Sequence, residues 1–206
     1  VYDELPYFKE ELRFYQLEDV IKGGYDREQP KEKISLIHDA LIMGLQDYFG
    51  KLGLKKAILG LSGGIDSAVT AVMATRALGK ENVRVVLMPS AYSSSHSVDD
   101  AKALAENLGI QYDLIPIVAP YDAFNTLLTD VMEGKPFDVT EENIQARCRA
   151  IILMAISNKH GNILLNTTNK SEMSVGYGTL YGDLAGGLSV LADIYKTDIY
   201  LLADYI

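Results

Sequence analysis

Apolar positions along the chain switch between a spacing of about two and a spacing of three to four, and the switches mark out its elements. Residues 1–30 are acidic and aromatic with no clear period and break at "KGGYDREQP". They read as an arm or linker. From Glu32 the apolar residues Ile34, Ile37, Leu41, Leu45, Tyr48 and Phe49 keep helical spacing, and this amphipathic helix ends near "GKLGLK". "KAILGL" reads as a strand and Asp66 to Leu78 as a helix. "VRVVLMP" is a second strand, "SVDDAKALAENLG" a helix closed by Gly109, "YDLIPI" a third strand and "PYDAFNTLLTDVM" another helix. "TEENIQARCRAIILMAISNKHG" is a long helix with Thr140 as its cap and Ile144, Cys148, Ile151 and Ile152 as its apolar stripe. "NILLN" has the composition of a strand buried on both faces. A Gly-rich loop region and a last helix around "TDIYLLADY" follow. Strands separated by helices predict an α/β fold, a doubly wound parallel sheet with right-handed crossovers. Such sheets bind ligands beyond the carboxyl ends of their strands.

Composition narrows the partners. A chain of 206 residues with 48% hydrophobic content suits one generous domain, or one domain plus an arm. No apolar run reaches the length of a membrane span, and "VYDELPYFKEEL" does not read as a signal peptide. The single cysteine, Cys148, excludes an internal disulfide and a cysteine-rich zinc site, and it fits the cytoplasm. A net charge of −9 argues against nucleic acid but leaves a nucleotide open, through backbone donors and metal ions. His38, His96 and His160 share no metal-ligand spacing.

"LGLSGGIDS" carries the candidate chemistry. It lacks the lysine of a P-loop and the spacing of a dinucleotide fingerprint. Gly63 and Gly64 remove Cβ atoms where a backbone must curl close to a ligand. The helix that follows offers unpaired N–H groups to an anion, and Ser62 and Ser67 add hydroxyls. Asp66 beside a phosphate requires a cation between them, so the segment points to phosphate, Mg²⁺ and Asp66 together. The plainer alternative is a strand-to-helix turn with Asp66 as an N-cap.

The S-G-G-x-D-S segment resembles the pyrophosphate-binding loop of the ATP pyrophosphatases that adenylate a substrate, enzymes of a Rossmann-like adenine nucleotide alpha hydrolase fold. The segment "LLNTTNKSEMSVGYGTLYGDLAGGLSVLADIYKTDIYLLADY" resembles the NAD synthetase family in its glutamine-dependent branch, as do "MPSAYSSSHSVDDA" and "TEENIQARCRAIILMAISNK". The likeness covers about residues 31–206. It implies that Gly60, Leu61, Ser62, Gly63, Gly64, Ile65, Asp66 and Ser67 cradle ATP phosphates, with Thr167 and Lys196 also on ATP. Asp66 and Glu172 would hold Mg²⁺. Asn143, Arg147, Glu172, Tyr177, Leu180 and Asp183 would touch deamido-NAD. In isolation Arg147 also reads as a solvated helix charge, Glu172 as part of a capping box and Lys196 as an exposed lysine.

The implied activity is ATP-dependent amidation of deamido-NAD to NAD through an adenylated intermediate. A GMP-synthetase-like adenylating enzyme and a non-catalytic nucleotide-binding fragment are the alternatives. The likeness further implies an amidase domain that delivers ammonia from glutamine, with residues 1–30 as its exit linker, and a C-terminal segment beyond "LADYI". It also implies a dimer, for which the broad apolar band of residues 32–52 offers a surface.

Overall fold

The protein is described here by a computed structural model that covers residues 3–23 and 31–206. Helix α1 spans Leu17–Lys22 and α2 spans Lys33–Lys51; the sheet begins with β1, Ala57–Gly60. There follow α3 (Ile65–Leu78), a 3₁₀ turn (Lys80–Asn82), β2 (Val83–Leu87), α4 (Ser95–Leu108), β3 (Gln111–Leu114) and α5 (Val118–Leu128). The chain continues through α6 (Val139–His160), β4 (Ile163–Asn166), α7 (Lys170–Val175), β5 (Leu188–Ser189) and α8 (Lys196–Tyr205). The break read at 22–30 lies, from residue 24 on, outside the described residues.

The strands pair in the order β3-β2-β1-β4-β5, every pair parallel. Side chains alternate across a strand, so each strand feeds two cores. Ala57, Leu59, Val83, Val85, Leu87 and Leu165 bury on one face with Leu45 and Phe49 of α2, Met73 of α3, Ala101 of α4, and Ile199 and Leu202 of α8. Ile58, Val86 and Leu164 turn to the other face and meet Ile117, Cys148 and Leu153. Helices therefore cover both faces, which is why β1 and β4 read as apolar runs. β3 is shorter than "YDLIPI", although Ile115 N–H still donates to the Leu87 carbonyl and Ile117 N–H to the Pro89 carbonyl.

Two expectations need correction. Thr140 does not cap α6; Asp138 does. Its carboxylate accepts from Thr140 N–H at 2.7 Å, while Glu141 accepts from Asp138 N–H at 2.9 Å. That reciprocal pair is a capping box, and it needs an acid three residues after the cap, which Asp138 has in Glu141. Ile151 is not part of the buried stripe and is 58% exposed. At 100° per residue the buried face runs through Gln145, Cys148, Leu153 and Ser157, and Ile151 falls with Asn143 and Arg147 on the outer side. The apolar band of α2 packs on the larger core with part of its surface still exposed. Leu45 and Phe49 are 2% exposed, and Ile34, Ile37, Leu41, Ile42 and Tyr48 pack half-buried on the same core.

Three short elements went unread: α1, α7 and β5. Two residues of β5 are too few for a period, and α1 buries no residue. Among the described residues no helix is long and apolar enough to cross a membrane.

Phe49→Ala tests where the larger core is held. Phe49 is almost wholly enclosed, so the variant is expected to lose about 3–5 kcal/mol of stability. Urea unfolding reads this as a lower midpoint at an unchanged slope.

Candidate nucleotide site at the sheet reversal

The sheet grows from β1 outward to β2 and β3, and the chain then returns to lay β4 on the other side of β1. Between the carboxyl ends of β1 and β4 no crossover helix fills the space, so this reversal is where ligands bind in open α/β sheets. β1 and β4 pair only at Ala57–Ile163 and Ile58–Leu164. Beyond those pairs Gly60 and Asn166 lead into the two loops that line the site.

The first loop is folded by its own side chains. Ser62 and Ser67 hydroxyls lie 3.0 Å apart, Ser67 Oγ donates to the Gly64 carbonyl at 2.9 Å, and Gly64 N–H donates to Ser62 Oγ at 3.2 Å. Both hydroxyls expected on phosphate thus brace the turn as well. Gly63 stands at φ +83°, and a Cβ there would run into the backbone carbonyl of Ser97. Gly64, not Asp66, is the N-cap of α3, and it supplies no side-chain cap. The helix start is left for an anion to satisfy, with its dipole favouring negative charge.

Asp66 instead points across the reversal. Its Oδ2 pairs with Lys196 Nζ, and its Oδ1 accepts from Asn169 Nδ2 at 3.3 Å. Lys196 starts α8, and its backbone N–H donates to Ser171 Oγ at 3.0 Å. Glu172 forms a capping box with Asn169, accepting from Asn169 N–H at 3.0 Å. Capping engages Oε2 of Glu172 and leaves its carboxylate lining the same small cavity as Asp66. That cavity, about 160 Å³, is also lined by Ser62, Ser67, Thr167, Thr168, Tyr177 and Asp183. Asp66, Glu172 and Asp183 are three carboxylates among hydroxyls, a hard oxygen donor set that suits Mg²⁺ shared with phosphates. Among the described residues no cluster of three or more His, Cys, Asp or Glu is present to cage a metal alone.

A larger cavity of about 670 Å³ adjoins it, sharing Ser62, Thr167 and Asp183. Its walls are Gly60 and Leu61, Met88 just beyond β2, Ser93 and Ser94 with the first turn of α4, and the inner side of α6. Gly60 lets Leu153 and Met88 close in, since a Cβ would stand 3.4 Å and 3.2 Å from them.

Of the residues assigned to deamido-NAD, Glu172, Tyr177 and Asp183 line the small cavity, and Asn143, Arg147 and Leu180 come together on the outer rim. Thr179 Oγ1 donates to Asn143 Oδ1 at 2.6 Å, and Arg147 Nε donates to the Leu180 carbonyl at 3.2 Å. Asp183 accepts from Thr179 N–H. The loop of residues 177–184 is thereby docked on α6, while the side chains of Tyr177 and Leu180 remain 75% and 65% exposed. Arg147 is therefore not the freely solvated helix charge of its plainer reading.

Sequence reasoning missed three polar groups. Asn166 ends β4, accepts from Thr168 N–H at 2.8 Å and donates to the Asp183 carbonyl at 2.7 Å, tying the two rims together. Asn169 is 1% exposed and bridges Asp66 to the Glu172 capping box. Arg149 lines the large cavity and its Nε donates to the Met88 carbonyl at 3.1 Å. The signal for Arg149 was in the helical period, which sets it on the face of Gln145 and Cys148. Burial lowers the pKa of Arg149 from its ordinary value, partly opposed by Cys148 and Asp183, yet a guanidinium stays charged. Burial likewise raises the Cys148 thiol, which therefore remains an inert packing group.

Backbone donors facing carboxylates across a parallel-sheet reversal suit a nucleotide with its divalent cation, and solved structures place the fold in the ATP pyrophosphatase class. A glutamine-dependent NAD⁺ synthetase from Acinetobacter baumannii, in complex with ADP, superposes with a TM-score of 0.85 at 46% identity, over 87% of this chain and 34% of that one. An NH₃-dependent NAD synthetase from Campylobacter jejuni subsp. jejuni gives 0.77 at 35% identity, over 85% and 74%. The model of the NAD synthase family matches residues 37–206, and the chain belongs to that family. A glutamine-dependent NAD(+) synthetase from Thermotoga maritima is 56% identical over 161 residues, which is 78% of this chain and 28% of that protein. The chain spans about a third of the length of the curated relatives it matches.

Gly63→Ala tests the loop geometry. A positive φ and the Ser97 carbonyl both oppose a Cβ, so the variant is expected to lose about 1–3 kcal/mol. Chemical unfolding measures it; an unchanged midpoint would show that the loop is not held in this conformation.

Proposed function

We propose that this domain amidates deamido-NAD to NAD at the expense of ATP, releasing AMP and pyrophosphate. The observation that carries the reading is the pair of joined cavities. The small one gathers Asp66 and Glu172 beside the uncapped start of α3, and the large one has the size for a nucleoside. A carboxylate is a poor acceptor for ammonia because its oxygen leaves badly. Attack of that carboxylate oxygen on the α-phosphorus breaks the bond to the bridging oxygen, and pyrophosphate leaves with the electron pair. Ammonia then adds to the acyl carbon and gives up a proton, and AMP leaves with the C–O electrons.

Positioning and charge neutralisation carry such steps, with no proton-transfer dyad. In this reading Gly60, Leu61, Ser62, Gly63, Gly64, Ile65 and Ser67 hold phosphates through the backbone and α3. Asp66 and Glu172 hold Mg²⁺, which when bound neutralises the phosphates. Thr167 contacts ATP where the cavities meet. Lys196 exchanges Asp66 for phosphate; a partly exposed ion pair is worth about 1 kcal/mol or less, so the exchange costs little. Asn143, Arg147, Tyr177, Leu180, Glu172 and Asp183 receive the dinucleotide, the docked loop opening to admit it.

Ammonia enters directly or from glutamine through an amidase domain of the whole protein, a reading supported by the glutamine-dependent relatives, with residues 1–30 as the linker. A reducing cytoplasm fits the free Cys148. Two copies pair, the rim of α6 providing the surface: Ile151 and Met154 are 58% and 39% exposed on the side that bears Asn143 and Arg147. An apolar strip beside substrate residues is what a site shared between subunits requires. Light scattering at micromolar concentration tests this, and a monomer whose site still binds substrate overturns it.

Incubation with ATP, Mg²⁺, ammonium and deamido-NAD is expected to yield NAD, AMP and pyrophosphate in equal amounts; ADP with phosphate would overturn the adenylate. An NMN synthetase from Francisella tularensis has a related fold (TM-score 0.77, 29% identity). The carboxylate mononucleotide is therefore run in parallel, and its exclusive use would move the substrate assignment. Asp66→Asn is expected to stay folded and lose about 100-fold or more in turnover. Asn143→Ala with Arg147→Ala is expected to raise KM for deamido-NAD about tenfold or more while moving that for ATP far less.

A further inference from the structure

Among the described residues lining the large cavity, Arg149 carries the one positive charge and Asp183 the one negative charge. Arg149 sits on the side of α6 that buries Gln145 and Cys148. Its Nε is committed to the Met88 carbonyl at 3.1 Å, which fixes the guanidinium at the end of β2. Among the described residues no carboxylate forms an ion pair with it. A guanidinium removed from water is costly unless an opposite charge meets it, and here the protein supplies none in contact. Asp183 attracts it only through space.

The shared wall of the two cavities locates the missing charge. Ser62, Thr167 and Asp183 border both, so a nucleotide lying across them has its outer phosphates beside Asp66 and Glu172 and its nucleoside in the large cavity. Its innermost phosphate then falls at the junction beside Asp183, which acts on Arg149 through space, with Arg149 on the large-cavity side. We propose that Arg149 binds the α-phosphate, the phosphoryl group that stays with the substrate when the adenylate forms. The proposal rests on the adenylation reading above and names the cation that reading lacks at the reacting phosphorus. Arg149 keeps its proton throughout. Its free nitrogens offer paired donors to the α-phosphate oxygens, whose charge grows as pyrophosphate departs. A lysine would keep the charge but could not both hold Met88 and present a fork.

Calorimetric titration of the whole chain with AMP, adenosine and pyrophosphate separates the α-phosphate from its neighbours. Arg149→Met is expected to weaken AMP by about 10- to 100-fold, the worth of a charge-assisted hydrogen bond, and to leave adenosine within about threefold. Pyrophosphate, bound at the other cavity, is expected to change little. Arg149→Lys is expected to fall between wild type and Met for AMP, and it carries the comparison should Arg149→Met fail to melt cooperatively. Equal losses for AMP and adenosine would show that Arg149 only braces the cavity wall through Met88, and unchanged AMP affinity would remove any phosphate contact. Either result overturns the proposal while leaving the adenylation reading intact. A wild-type chain that binds neither AMP nor ATP overturns both.

Discussion

The early divergence of β1 from β4 is the constraint on which the site depends. β1 and β2 stay paired over four residues, but β1 and β4 over only two. Parallel neighbours that separate at the point where the winding changes direction leave a crevice with backbone on both sides and no helix across it. The residues of the small cavity reach that crevice from its two banks. Ser62 and Asp66 come from the β1 bank, Thr167 and Glu172 from the β4 bank. Had β4 continued beside β1, ladder hydrogen bonds would occupy the same space.

Polar bridges stiffen the two banks. Asn169 and Lys196 reach Asp66 from across the crevice, and Asn166 grips the carbonyls of Asp183 and Ala185 within the β4 bank. Each bridge satisfies a group that would otherwise be costly to bury. Their strengths differ in a useful way. Asn166 and Asn169 are 3% and 1% exposed and set the frame, whereas the Lys196 side chain is 35% exposed and can change partner. The site thus divides a rigid frame and a replaceable counter-charge between amides and an ion pair.

The same division explains which bland readings survive. Glu172 is a capping residue and still faces the small cavity, because a carboxylate has two oxygens and the cap engages one. Asp66 is not a cap, since Gly64 already occupies that position and the Asp66 carboxylate is drawn across to Lys196. Arg147 is neither free nor paired with an acid; it holds the Leu180 carbonyl and so couples α6 to the loop over the site.

Local pattern determined the order of strands and helices, the parallel sheet and the glycine loop, because each rests on spacing within a few residues. A strand buried on both faces must be apolar throughout, and a backbone that turns at φ +83° under a neighbouring carbonyl must use glycine at position 63. The resemblance in several segments placed the chain in its family from sequence. Tertiary structure alone decided the rest. The meeting of Asp66 with Lys196 joins residues 130 apart, and that of Asp66 with Asn169 joins residues 103 apart. Whether Ile151 faced the core or the rim turned on one step of a helix whose apolar residues run nearly all the way round. The place of Arg149 in the large cavity depended on where β2 ended against α6. Contacts of that kind are set by how finished elements pack, and no spacing within a single element records them.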